Sequence, residues 1–251
     1  MMLAALSPLV TAGIVLCAVP ILAGVAQPYV IWLKMEILRA TNHLTRWRDR
    51  AQYRYKDAGT FAWMFAWYKM RLDPMFDDLP QLLKLAPTPR VAIDLGCGFG
   101  VAANVLLEWF PEMQVTGLDP NPFRVKRANA SFASRGTALV AAAPDFEVPG
   151  LPDQVDTIFC LDMIHYLSAA DLATTLTRLR NRLTPGGFFF LRSPVPPPAD
   201  ATPWRRWRGS NVPHPRSVEQ IAEIVTASGF KLIESRPTTG NPALQWFIAT
   251  A

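Results

Sequence analysis

The chain has 251 residues, half of them hydrophobic, with 25 basic and 20 acidic side chains and a formal net charge of +5. That length suits one large domain with an appendage, and the apolar content supports a sizeable core. The three cysteines, Cys17, Cys97 and Cys160, have neither metal-ligand spacing nor a disulfide pattern, so a reducing compartment and no metal site are expected.

No charged side chain occurs before Lys34. The apolar run from Pro8 to Leu33 is long enough to cross a bilayer, which takes about 20 residues. Pro20 and Pro28 allow a kinked span or a re-entrant hairpin. A cleaved signal peptide competes with the anchor, although no basic n-region precedes the run. A buried soluble helix is a third reading. Between Lys34 and Lys56 the basic residues Lys34, Arg39, Arg46, Arg48, Arg50, Arg54 and Lys56 face only Glu36 and Asp49, a local charge of +5 that equals that of the whole chain. Such a flank marks the cytoplasmic side of a span and attracts anionic headgroups; a plain solvated basic helix is the alternative. The remainder of the chain is electrically balanced, which argues against a nucleic-acid partner.

Residues 34–89 read as a helical connector. Its stretch from Phe61 to Met70 is so rich in large apolar groups that no single helical stripe emerges. It packs on the main domain, or it lies at a headgroup boundary or grips substrate, since Trp and Tyr favour such boundaries.

From residue 90 onward apolar strands alternate with amphipathic helices, the pattern of a parallel sheet with crossovers. Strands are expected over 91–95, 114–118, 138–142, 155–161, 188–193, 231–236 and 244–249. Helices are expected over 101–109, 122–135, 169–183 and 217–228. Pro185-Gly186-Gly187 reads as a turn. Residues 193–216 form a long proline-rich connection carrying Trp204-Arg205-Arg206-Trp207-Arg208, either a solvated loop or a contact for an anionic group or membrane.

The run Val91-Ala92-Ile93-Asp94-Leu95-Gly96-Cys97-Gly98-Phe99-Gly100 is a strand ending in a glycine turn, where a ligand can approach backbone closely. Cofactors bind at the carboxyl ends of such strands. The spacing is G-x-G-x-G; the third glycine of a dinucleotide fingerprint would fall on Val101. Asp94 before the turn suits a cation better than a pyrophosphate.

These residues resemble the first motif of the class I S-adenosylmethionine-dependent methyltransferases. Val115-Thr116-Gly117-Leu118-Asp119, followed by Pro120, resembles the second. Ala143-Pro144-Asp145-Phe146 resembles the third, and the strand ending at Leu161 with the stretch to Leu167 resembles the fourth. The turns at 183–187 and 227–230 resemble those into the fifth and sixth strands. The resemblance covers about residues 90–251. It implies an α/β, Rossmann-like seven-stranded sheet of order 3-2-1-4-5-7-6, helices on both faces, and S-adenosyl-L-methionine as cofactor. It also implies a cofactor site at Asp94, Gly96, Cys97, Gly98, Gly100, Asp119, Pro120, Asp145, Phe146 and Leu161. In it, Asp119 takes the ribose hydroxyls, Asp145 meets the adenine amino group and Phe146 packs on the ring.

Methyl transfer is mainly a matter of positioning, but a hydroxyl acceptor also needs a base. His165, after the fourth strand, is the candidate general base, with a structural role as its alternative; His214 is a weaker choice. The stretch Leu161-Asp162-Met163-Ile164 lacks the N-P-P-[YF] pattern of nucleic-acid adenine methyltransferases. The expectation is therefore a single-pass anchor at 1–33 in the cytoplasmic membrane, a connector at 34–89, and a cytosolic methyltransferase domain at 90–251. It would act at oxygen or carbon of a hydrophobic or lipid-linked small molecule. The alternative is a non-catalytic, cofactor-binding scaffold of a membrane-associated biosynthetic complex.

Overall fold

The computed structural model describes residues 26–196 and 212–251. Most of the expected membrane segment, residues 1–25, and the Trp204–Arg208 cluster lie outside the described residues. Residues 26–40 are helical (α1) and run through the boundary expected at residue 33. No helix among the described residues is long and apolar enough to cross a membrane, so the described part gives the expected N-terminal membrane helix no support. The physical reason is that α1 turns Ile31 and Met35 into the protein core and already carries charge at Lys34 and Glu36.

Three more helices follow, α2 (Trp47–Tyr53), α3 (Thr60–Leu72) and α4 (Met75–Leu82). The sheet then begins. Its strands are β1 (Val91–Leu95), β2 (Gln114–Asp119), β3 (Gly136–Val140), β4 (Val155–Leu161), β5 (Leu183–Pro194), β6 (Lys231–Thr238) and β7 (Asn241–Thr250). The helices between them are α5 (Val101–Trp109), α6 (Pro122–Phe132), α7 (Ala169–Arg182) and α8 (Val218–Ala227). The order is β3-β2-β1-β4-β5-β7-β6, with β7 antiparallel to both neighbours, as the resemblance implies.

The helix starts follow from local chemistry. Ser168 caps α7 by accepting from the Asp171 N–H at 3.1 Å, and Ser217 with Gln220 forms a reciprocal capping box on α8. Each sheet face buries its own core. One is covered by α1–α6, so residues 34–89 share a core with β1, α5 and α6; the other is covered by α7 and α8. Near-continuous apolar strands such as β4 are what a sheet covered on both faces demands.

Several boundaries differ from expectation, β7 for instance starting at Asn241 rather than 244, and two of the differences have a clear physical reason. β3 starts two residues early, because Gly136 pairs with Val115, and a Cβ there would sit 2.8 Å from the Val115 side chain. The expected turn at Pro185–Gly187 is absorbed into β5. Leu183 already pairs with Val155, and the register shifts before Thr157 meets Phe188. A register irregularity with three more residues on β5 than on β4 thus takes the turn's place.

Candidate active site

The turn after β1 is built by three glycines with left-handed backbone: Gly96 (φ 78°), Gly98 (φ 56°) and Gly100 (φ 73°). Two of them are required by packing. A Cβ on Gly96 would lie 2.8 Å from Met163, and one on Gly100 would collide with the Phe132 ring. Gly98 instead faces open space, as a ligand floor should. The Gly96 and Cys97 N–H groups donate to the Leu118 carbonyl at 2.7 and 3.0 Å, tying the turn to β2. Asp119, at the end of β2, accepts from the Gly98 N–H at 3.0 Å and from the Asn121 N–H at 2.9 Å. Its buried carboxylate thus orients the middle of the turn.

A cavity of about 190 Å³ opens on the turn. Asp94, Gly96, Cys97, Gly98 and Leu161 line it, joined by Phe65, Lys69, Arg124 and Asp162. Asp94 is fully buried, and its Oδ2 has no partner among the described residues. Burial, with a smaller push from Asp119, raises its carboxyl to about 7. An unpartnered buried acid beside a glycine floor suits a ligand bringing its own positive charge and donors. The residues present therefore fit S-adenosylmethionine: Gly98 for close approach, and Asp94 for the cationic part.

Other expected site residues lie elsewhere. Pro120 is exposed beside Asp119. Asp145 is exposed and pairs with Arg178 at 2.8 Å, while Phe146 is wholly buried in the α7–α8 core, so neither lines the cavity. His165 sits half-buried on a 3₁₀ turn after β4 and is not part of the cavity lining. Its Nδ1 has no partner among the described residues, and burial lowers its basicity. The His214 N–H donates to the His165 carbonyl at 3.1 Å.

The connector supplies what the sequence reading did not assign. The buried Tyr55 hydroxyl donates to the Phe99 carbonyl at 2.9 Å and accepts from Asn104 Nδ2 at 3.0 Å, bracing the turn from below. Phe61 and Phe65 of α3 pack on Phe99 at ring separations of 5.6 and 5.2 Å, with Phe123 on its other side. Behind the cavity, fully buried Arg192 bonds Asp73 through both Nη atoms at 2.7 Å and also grips Asp162. Lys69 Nζ reaches Asp73 at 2.5 Å and Asp162 at 3.4 Å. Burial works to raise Asp73, but Arg192 and Lys69 outweigh it and hold the carboxyl well below its ordinary value. The one signal in the sequence was a charged residue directly after the apolar run Phe188–Leu191.

A seven-stranded sheet of this order, with a glycine turn after β1 and acids at Asp94 and Asp119 near the ends of β1 and β2, is a Rossmann-like arrangement suited to a nucleotide-like cofactor. Residues 93–189 match the family model of a methyltransferase domain. The chain is 33% identical over 135 residues to trans-aconitate 2-methyltransferase of Methylobacterium radiotolerans, covering 53% of this chain and 49% of that one. It is 26% identical over 103 residues to ubiquinone biosynthesis O-methyltransferase of Serratia proteamaculans, covering 40% and 41%. The chain thus spans about half, or less, of the length of these curated relatives. Human N-acetylserotonin methyltransferase, solved in complex with S-adenosylmethionine, superposes with a TM-score of 0.60 at 15% identity, covering 82% of this chain and 57% of that one. A methyltransferase from Aquifex aeolicus does so with a TM-score of 0.56 at 17% identity, covering 72% and 92%. Over residues 93–189 the chain thus resembles a methyltransferase domain, and it shares the fold of S-adenosylmethionine-dependent methyltransferases of known structure.

Proposed function

We propose that this protein methylates a hydrophobic or lipid-like small molecule at oxygen or carbon, using S-adenosylmethionine, at the cytoplasmic face of a membrane. The observation that carries the methyl-transfer part is buried Asp94, with its unpartnered oxygen, beside the Gly96–Gly100 turn. When bound, the cofactor would supply a methyl group on a sulfonium, whose C–S electron pair would leave with sulfur as an electron pair of the acceptor oxygen or carbon takes the methyl. Asp94 holds positive charge, Gly98 gives close approach, and Asp119 keeps the turn in shape. Phe65, Phe99 and Leu161 shield the cavity from water. Burial keeps His165 neutral at pH 7, the form a base needs to take a hydroxyl proton.

The relatives' names point to two acceptor types, a tricarboxylate and a precursor in ubiquinone biosynthesis. The apolar reading is supported by the exposed Tyr29, Val30, Trp32, Leu33 and Ile37 of α1 and by the exposed aromatic side chains of α3. Calorimetric titration tests the cofactor. S-adenosylmethionine should bind and NAD should not, and Asp94→Asn should weaken binding by about tenfold or more, as expected on loss of a charge-assisted contact. Binding of NAD in preference to S-adenosylmethionine would refute the reading.

A further inference from the structure

We propose that the methyl acceptor occupies a second cavity, between the C-terminal half of α3 and the start of β7, and that this cavity selects a neutral apolar molecule bearing a hydroxyl over a polycarboxylate. This rests on the methyltransferase reading above.

The cavity measures about 330 Å³. Phe65, Tyr68, Leu72 and Leu244 give it apolar walls, and Lys69 and Asn241 supply polar groups. Phe65 and Lys69 also line the glycine-turn cavity, so the two spaces share a wall one turn of α3 long. In-line transfer needs donor and acceptor in contact, so the two ligands would meet at the rim where Phe65 and Lys69 face both spaces.

α3 is built for two partners. Ala62, Trp63, Ala66 and Met70 are buried against the domain. Phe61, Phe65, Tyr68 and Leu72 recur at helical spacing on the opposite side and are 66%, 41%, 41% and 72% exposed. They make a stripe about 16 Å long, since a helix rises 1.5 Å per residue. Exposed apolar surface organised this way, and continuous with a cavity, marks a binding surface. It also explains why the sequence showed no single apolar face.

Charge decides the class of ligand. Lys69 and Arg192 are matched by Asp73 and Asp162, so the polar end of the cavity is neutral. A tricarboxylate would bring three negative charges to a place where both cations are already paired, at a cost in lost hydration. A hydroxyl needs only one donor. The Lys69 ammonium has three N–H groups and two carboxylate partners among the described residues, which leaves one for an acceptor oxygen.

The test uses the full chain, saturated with S-adenosylmethionine, and two probes, 2-naphthol and tricarballylate, followed by calorimetry. 2-Naphthol should bind and tricarballylate should not. Leu72→Glu, a change at an exposed position, should weaken 2-naphthol by about tenfold or more and leave the cofactor's Kd within about twofold. Absent 2-naphthol binding, equal binding by the variant, or a preference for tricarballylate overturns the proposal. Loss of S-adenosylmethionine binding by the unmodified chain would instead refute the methyltransferase reading on which it rests.

Discussion

Asp94 shows how one side chain sets function against stability. Its carboxyl is raised from 3.8 to about 7 by burial and by Asp119. Between those pH values the folded chain keeps a proton that the unfolded chain releases, so this group's contribution to stability falls from about pH 4 to about pH 7 and is level above. The cofactor has the opposite requirement, because its cationic part favours the ionised carboxylate. Its Kd should therefore tighten as pH rises from about 5 to about 7, and Asp94→Asn should flatten that dependence in calorimetry. In urea unfolding the same variant should gain on the parent at pH 8 and match it near pH 4. An unchanged pH profile in the variant would show that another group is responsible. His165 lines neither cavity, so its role is decided kinetically: if it is the base, His165→Ala should lower turnover of a hydroxyl acceptor by about 10²–10⁴ and remove the acid limb of the kcat profile. A loss under about threefold would assign the ring to packing.

At the scale of elements, Arg192 joins parts that are distant in sequence. It ties Asp73 after α3 to Asp162 after β4, and Lys69 reinforces both. Removing one partner of a buried ion pair leaves uncompensated charge, so Arg192→Met should cost about 3–5 kcal/mol in guanidinium unfolding. A cost below about 1 kcal/mol would mean that water replaces the guanidinium. The difference between what was readable and what was not follows from the same physics. β1 and β4 were readable because strands buried on both faces must be almost wholly apolar. The glycine turn was readable because three left-handed positions need glycine at fixed spacing. The start of β5 was not, since Pro185, Gly186 and Gly187 carry a turn's composition while lying in an irregular stretch of the ladder. The Asp73–Arg192–Asp162 network was equally hidden, because ion pairs across 119 and 30 residues leave no local pattern. Asp145 and Phe146 matched a motif, yet the fold sends one to solvent and the other to the core.

For the whole molecule, the distribution of charge changes once partners are known. Arg50 and Arg54 both bond Glu108 on α5 at 2.7 Å, and Arg48 pairs with Asp77 at 3.2 Å. Arg50 and Arg54 thus secure the connector to the domain, while Arg48 pairs within the connector. Under the membrane reading proposed above, attraction to a bilayer would rest more on the exposed apolar residues of α1 and α3 than on charge. Co-sedimentation of the full chain with phosphatidylcholine vesicles should show binding that anionic lipid strengthens by less than about tenfold, whereas Trp32→Glu weakens it by about that factor or more. Protein left in the supernatant with both lipid mixtures would refute the membrane reading.

Tyr55 gives the connector a further significance. Its hydroxyl meets the Phe99 carbonyl from 44 residues upstream. Domains emerge from the ribosome N-terminal end first. The brace is therefore synthesised before the loop it supports, and the glycine turn can close onto a partner already waiting for it.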